Sequence, residues 1–286
     1  MSYKIIKEHF SEKNQIARLL KQCVFDFKLQ NETNTKLEKL SNTIAMCSTH
    51  LETAECTHCK TEHYYSTLYC KSRLCPICAA NRSHMYILRF MPILKDYLKK
   101  GKIINFLTLT IKDTDSLQYG IDKIEEAWRY MVNTDKFSRN IFNTMFIGGI
   151  RSIETKLGKN SKKWHTHFHL LVIKNKNKKD YYYIKSLWEN ATKRVFNTNE
   201  KVGSVHIETI HLNNKDKYKG FKADNNGNIS DKTSEALGVA VLETMKYITK
   251  FDEFKAYSKE RINELVNASY GKRFINLFGC MFGYEK

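Results

Sequence analysis

Acid is scarce in this sequence: 30 Asp and Glu stand against 48 Lys and Arg, a formal charge of +18 over 286 residues. That deficit says little about fold but points to a polyanion as partner, either nucleic acid or an anionic membrane surface. Long apolar runs are also missing. Stretches such as Ile103 to Ile111 fall far below the ~20 residues of a bilayer span, which excludes a helical membrane crossing. The opening residues, Met1 to Phe10, lack the apolar core of an export signal, so the expected compartment is the cytoplasm, with no membrane partner. No internal repeat is found, which excludes a solenoid. With 42% apolar residues the chain can still bury a full core.

Ile16, Leu19, Leu20 and Cys23 suit one helix face and are followed by a polar Asn/Thr-rich stretch, so residues 1–46 read as a helical arm. Residues 47–100 hold a cysteine cluster and then a helix from Ala79, with Pro92 as kink or break and Gly101 as stop. Residues 101–286 form the remaining domain. There, Ile103 to Ile111, Phe146 to Thr155, Trp164 to Ile173 and Val205 to Ile210 read as strands. Helices are predicted within 117–142, 179–194 and 234–251. Lys156 to Lys163 is polar, carries Gly and Asn at its middle and reads as a hairpin connection. A central hairpin without strict βαβ alternation predicts an α+β fold with antiparallel pairing.

Five of the eight cysteines lie between Cys56 and Cys78, and that density favours metal ligation over disulfides. Two Cys-x-x-Cys knuckles, Cys56 with Cys59 and Cys75 with Cys78, predict a structural Zn2+ site of four thiolates. Cys70 is first reserve; His58 and His63 are further candidates, while Cys23, Cys47 and Cys280 are expected to be buried thiols. Lys71, Arg73 and Arg82 lie close by in sequence, as expected of a phosphate-contacting knuckle.

On a strand, His165, His167 and His169 share one face while Thr166, Phe168 and Leu170 share the other. Two histidines at i and i+2 can grip one divalent ion and leave positions open for substrate oxygens. Glu154, across the predicted hairpin, is a candidate third ligand if it pairs with His165 or His167. Further on, Glu243, Tyr247 and Lys250 fall together on one side of a predicted helix. A phenol with a free pKa near ~10 needs cations or a metal to act as a nucleophile, and Lys246 and Lys250 are placed to help.

Together these elements resemble the HUH endonucleases, and within them the rolling-circle replication initiators of small plasmids, particularly of Gram-positive bacteria. The resemblance rests on Phe106 to Thr110, on His165 to His169, and on Glu243, Tyr247 and Lys250. The run Cys70, Arg73, Cys75, Pro76 and Cys78 and the segment Arg273 to Gly279 add to it. It covers residues 47–283, with one departure: Thr166 stands where the family often has proline.

The resemblance implies a sheet of about five strands flanked by helices. It also implies Mg2+ or Mn2+ at His167 and His169, completed by Glu154 or His165. Tyr247 would attack the scissile phosphodiester, leaving a 5′-phosphotyrosine, and Glu243 would activate water for a second cleavage. The implied partners are origin DNA, as a hairpin or single-stranded nick site contacted by Lys246, Arg73 and Arg82, together with a host helicase and DNA polymerase. A rolling-circle transposase, a mobilisation relaxase and a non-catalytic zinc-containing DNA-binding regulator are the competing readings.

Overall fold

Ile16, Leu20, Cys23 and Phe27 recur at helical spacing and are all buried along one face of α1 (Tyr3–Leu29). In chain order there follow α2 (Thr35–Ala45), a hairpin of β1 (Leu51–Glu55) and β2 (Glu62–Thr67), α3 (Pro76–Lys99), β3 (Ile103–Ile111), α4 (Leu117–Arg129) and α5 (Lys136–Met145). Next come β4 (Phe146–Leu157), β5 (Trp164–Lys174), α6 (Asp180–Phe196), β6 (Gly203–Ile207) and the short pair β7 (Ile210–His211) and β8 (Lys217–Tyr218). The chain ends with α7 (Asp231–Met245), α8 (Phe251–Lys255), α9 (Lys259–Ser269) and β9 (Ile275–Gly279). This computed structural model describes residues 3–30, 32, 34–175, 180–212, 216–245 and 249–284.

Contacts group the chain into two units, Met1–Met85 with Tyr247–Lys272 and Tyr86–Lys246 with Arg273–Lys286, neither bounded at residue 46 or 100. In the first, α1, α2 and α9 pack together through residues such as Leu20, Leu37, Ile44, Ile262 and Leu265. Asn34 caps α2 by accepting hydrogen bonds from the Lys36 and Leu37 amides.

The second unit is built on a five-stranded antiparallel sheet in the order β6-β3-β5-β4-β9. One face carries Phe168, against which Trp128 of α4 and Trp188 of α6 pack edge-on. The other carries Ile104, Phe106, Ile150, Leu171 and Ile173, in one apolar cluster with Phe90 and Leu94 of α3 and Leu237 and Val241 of α7. The expected α+β class and antiparallel sheet are therefore present, with helices on both faces.

Local chemistry explains the element ends. Pro76 opens α3, where a missing N–H costs nothing, and the helix continues through Pro92. Gly101, at φ 74°, ends it as predicted: Lys102 N–H reaches Tyr97 O and Gly101 N–H reaches Leu98 O. One expectation is corrected here. The helix predicted over 234–251 does not run to its expected end: α7 is described as far as Met245, and Lys250 is the extended N-cap residue of α8. Lys250 thus does not continue the Glu243 helix.

Arg151 is buried on the α4 side of β4, paired through both terminal nitrogens with Glu125 at 2.7 and 3.0 Å. Its guanidinium carbon also lies 4.9 Å from the Trp128 ring and 4.4 Å from that of Phe168. Replacing it strands a partly buried carboxylate and removes two cation–π contacts. We expect Arg151→Ala to lower stability by about 3 kcal/mol, read as a reduced urea midpoint with an unchanged slope; an unshifted midpoint would show the pair to be dispensable.

Candidate active site

Strand register builds the site. Antiparallel pairing of β4 with β5 sets Ser152 opposite His169, Glu154 opposite His167 and Lys156 opposite His165. These residues share one face, while Thr166 and Phe168 are wholly buried on the other. Glu154 thus faces His167, one of the two partners expected for it.

Three ligand atoms converge as a result. Glu154 Oε2 lies 2.7 Å from His169 Nε2 and 3.4 Å from His167 Nε2, and the two imidazole nitrogens are 3.1 Å apart. Ligands at right angles around an ion at ~2.1 Å sit about 3 Å from one another, so the triangle fits one face of an octahedral divalent cation. The Thr108 hydroxyl is 3.0 Å from His169 Nδ1, which fixes that ring with Nε2 toward the cluster. Among the described residues, His167 Nδ1 is buried without a hydrogen-bond partner. Burial alone would raise the Glu154 carboxyl, but hydrogen bonds from His167 and His169 outweigh it and hold the group well below the usual carboxylate range. For His167 burial dominates and pushes the imidazole down, toward the neutral form that ligates metals.

His167 and His169 of the triad line a cleft of about 580 Å3. His165, which is not part of the converging triad, lines this cleft with its Nδ1 2.8 Å from Asp113 Oδ1. Glu243 reaches the same cleft from α7. Tyr247 and Lys246 lie outside the described residues. Ser204 and His206 of β6 were missed from sequence: they line the cleft 3.2 Å apart, with Ser204 also 2.6 Å from Thr110. Their alternation with Val205 and Ile207 was the signal, the polar residues of a half-buried strand.

In the first unit the cysteine expectation is corrected. The sulfurs of Cys47, Cys70, Cys75 and Cys78 gather, all within 4.8 Å of one another. Cys56 and Cys59 stand instead at the turn of the β1–β2 hairpin. The reason is length: strands of five and six residues carry that turn ~15 Å from the hairpin's base. At the base, Ser48 N–H bonds Leu68 O, bringing Cys47 and Cys70 together. Cys47 to Cys78 and Cys70 to Cys78 are each 3.5 Å, close to the ~3.8 Å edge of a tetrahedron with metal–sulfur bonds of ~2.3 Å. Hydrogen bonds from Cys70, Cys75 and Cys78 push the Cys47 thiol far down, while those to Cys47 push Cys70 and Cys75 far up. Such a cluster can ionise fully only around a cation.

Beside it lies Lys13, wholly buried, donating to the carbonyls of Ala45 and Cys47 at 3.2 Å each. Burial lowers its ammonium, and charge on Cys47, Cys75 and Cys70 opposes that shift. Of the two basic neighbours predicted to touch DNA, Arg82 donates to Lys71 O at 2.7 Å. Arg73 lines a cavity of about 300 Å3.

Residues 61–286 match the family described as replication protein. Among individual relatives, a "Protein rep" of Streptococcus pneumoniae is 26% identical over 234 residues, covering 76% of this chain and 62% of that protein. One from Staphylococcus aureus is 27% identical, covering 62% of this chain and 80% of its own length, and one from Lactiplantibacillus plantarum is 27% identical, covering 76% and 65%. This chain therefore spans under two thirds of the pneumococcal and Lactiplantibacillus proteins. No solved structure matches significantly. No helix among the described residues is long and apolar enough to cross a membrane.

The hydroxyl on His169 can be tested directly. Thr108→Val should weaken Mn2+ binding, followed by electron paramagnetic resonance, by ~10-fold or more, with Thr108→Ser restoring it. Equal affinity in all three proteins would remove Thr108 from the site.

Proposed function

The chain belongs to the replication-protein family, and from that premise we propose that it initiates rolling-circle replication of plasmid DNA by nicking the origin with Tyr247. The observation that carries this reading is the convergence of Glu154, His167 and His169, with the two histidines on the wall of a cleft that Glu243 also lines. Tyr247 follows Glu243 by four residues.

In this reading the cleft holds single-stranded or hairpin DNA at the nick site. When bound at Glu154, His167 and His169, Mg2+ or Mn2+ supplies charge neutralisation on the scissile phosphate. The Tyr247 phenol oxygen bonds to phosphorus as the bond to the 3′ oxygen breaks. The protein is then joined to a 5′ phosphate, and the released 3′ oxygen takes up a proton as a free hydroxyl. Lys246 and Lys250, close to Tyr247 in sequence, favour the phenolate. His165, held by Asp113, presents its ring to the cleft as a hydrogen-bonding group for a phosphate oxygen. Glu243 takes a proton from water in the second cleavage that closes a replication round. A host polymerase extends the free 3′ end, and a host helicase opens the duplex ahead of it.

Cys47, Cys70, Cys75 and Cys78 hold Zn2+ in a closed structural site. Four thiolates around Zn2+ carry net negative charge, and Lys13 is the buried counter-charge. Lysine is almost never wholly buried without compensation. Among the described residues no carboxylate pairs with Lys13, whose acceptors are two carbonyls.

Supercoiled plasmid carrying the cognate origin should be relaxed with Mn2+, leaving a covalent protein–DNA adduct on denaturing gels, and Tyr247→Phe should give neither. Nicking by the variant at the parental rate would transfer the nucleophile elsewhere. Independently, Lys13→Met should release zinc to a chromogenic chelator roughly tenfold faster, as should Cys47→Ser, whereas Cys56→Ser should not. Unchanged release from Lys13→Met would refute its counter-charge role.

A further inference from the structure

The first unit contains a cavity of about 300 Å3 beside the thiol cluster, framed by α2, the segment 70–74 and the end of α9. Its chemistry is divided. Leu40, Leu74 and Val266 contribute apolar wall, and Tyr270, 53% exposed, adds an aromatic ring. Among the described residues, the remaining lining includes five cations, Lys36, Lys39, Lys71, Arg73 and Lys272, and no carboxylate. Lys36 Nζ stands 5.1 Å from the Tyr270 ring centroid, which joins cation and ring into one surface.

A ligand suited to such a place has a flat, weakly polar body and several negative charges outside it. We propose that this cavity takes one unpaired nucleotide of single-stranded DNA, its base against Tyr270 and the apolar wall and its flanking phosphates on the basic residues. Bases within a duplex are stacked and cannot enter a recess of this kind, whereas an unpaired base offers a free π-face. A strand suits the site better than a free nucleotide because the five cations outnumber the charges of one phosphate. The inference rests on the reading of this chain as a DNA-acting protein, but it places a second strand contact in a unit that does not contain the Glu154, His167 and His169 cluster.

The test is fluorescence polarisation with the full-length, zinc-loaded protein and no added Mg2+ or Mn2+, so that strand binding is measured without cleavage. The probes are a labelled oligothymidine strand, the same strand with abasic sites, and a blunt duplex. Tyr270→Ala should weaken binding of the intact strand by about tenfold, Tyr270→Phe should retain it, and duplex binding should stay within about twofold of wild type. The abasic strand should bind wild type more weakly and be indifferent to Tyr270→Ala. Lys39→Ala should lower the salt dependence of strand binding by about 0.7 in logarithmic slope.

Equal losses on strand and duplex would mean a general charge effect or misfolding and overturn the proposal. So would unchanged strand binding in Tyr270→Ala, or displacement of the strand by micromolar thymidine monophosphate. Plasmid nicking is assayed separately. A protein that binds strands through Tyr270 yet never nicks would refute the proposed catalysis and leave this site standing.

Discussion

The pairing of β4 with β5 is the constraint on which the rest of the second unit depends. Side chains alternate along both strands, so a one-residue slip would carry Glu154 away from His167 and send one partner to the wrong face. Several features hold the register. Gly149 lies so close to β5 that an added Cβ would stand 2.2 Å from Leu171 O, which makes any larger residue incompatible with this spacing. The 158–163 turn closes with Gly158 N–H on Lys163 O, and Lys162 adopts φ 55°. On the opposite face, Arg151 ties β4 to Glu125 of α4 and stacks over Phe168 of β5.

Register brings the groups together, and burial then sets their charge. Glu154 and His167 are both nearly inaccessible, and an isolated carboxylate in that position would be driven to its protonated form. Instead the two imidazoles keep it ionised. A carboxylate with neutral or shared imidazole protons is a ready acceptor for a hard cation, and Thr108 from β3 completes the orientation of one ring. The thiol cluster faces the reverse problem, several acids in contact with one another, and Lys13 supplies positive charge from an element far away in sequence.

Alternation made the histidine site legible: three imidazoles at two-residue spacing on an apolar strand admit few other arrangements, and Glu154 followed from an even-numbered hairpin. The thiol cluster was misread because spacing along the chain favoured two Cys-x-x-Cys pairs, whereas strand pairing decides distance. Cys47 and Cys70 flank the β1–β2 hairpin almost symmetrically, so its ladder draws them together while the pair at the turn is carried off. Glu243 was recognised through its neighbours and does line the cleft. Lys250 was not placed correctly because helical periodicity alone does not reveal that α7 ends and α8 begins within a few residues. His206 escaped because a short edge strand carries too little apolar pattern to stand out.

The same logic explains why a wholly buried lysine belongs to α1. The first unit assembles pieces remote in sequence, with α1 and α2 packed against α9 more than two hundred residues later, and such long-range closure carries a large entropic cost. Its apolar contacts are spread along three helices, and β1 adds little, since it is exposed throughout. The sulfurs meet where these parts converge: Cys47 follows α2, Cys70 ends the hairpin segment, and Cys75 and Cys78 bracket the start of α3. A cation bound there would fasten four points of the chain at once. Lys13 extends that fastening to α1, because its ammonium bonds the backbone on both sides of residue 46 and is shielded from water only while α1 is docked. Charge at the thiol cluster and the docking of the first helix are in this way parts of a single equilibrium.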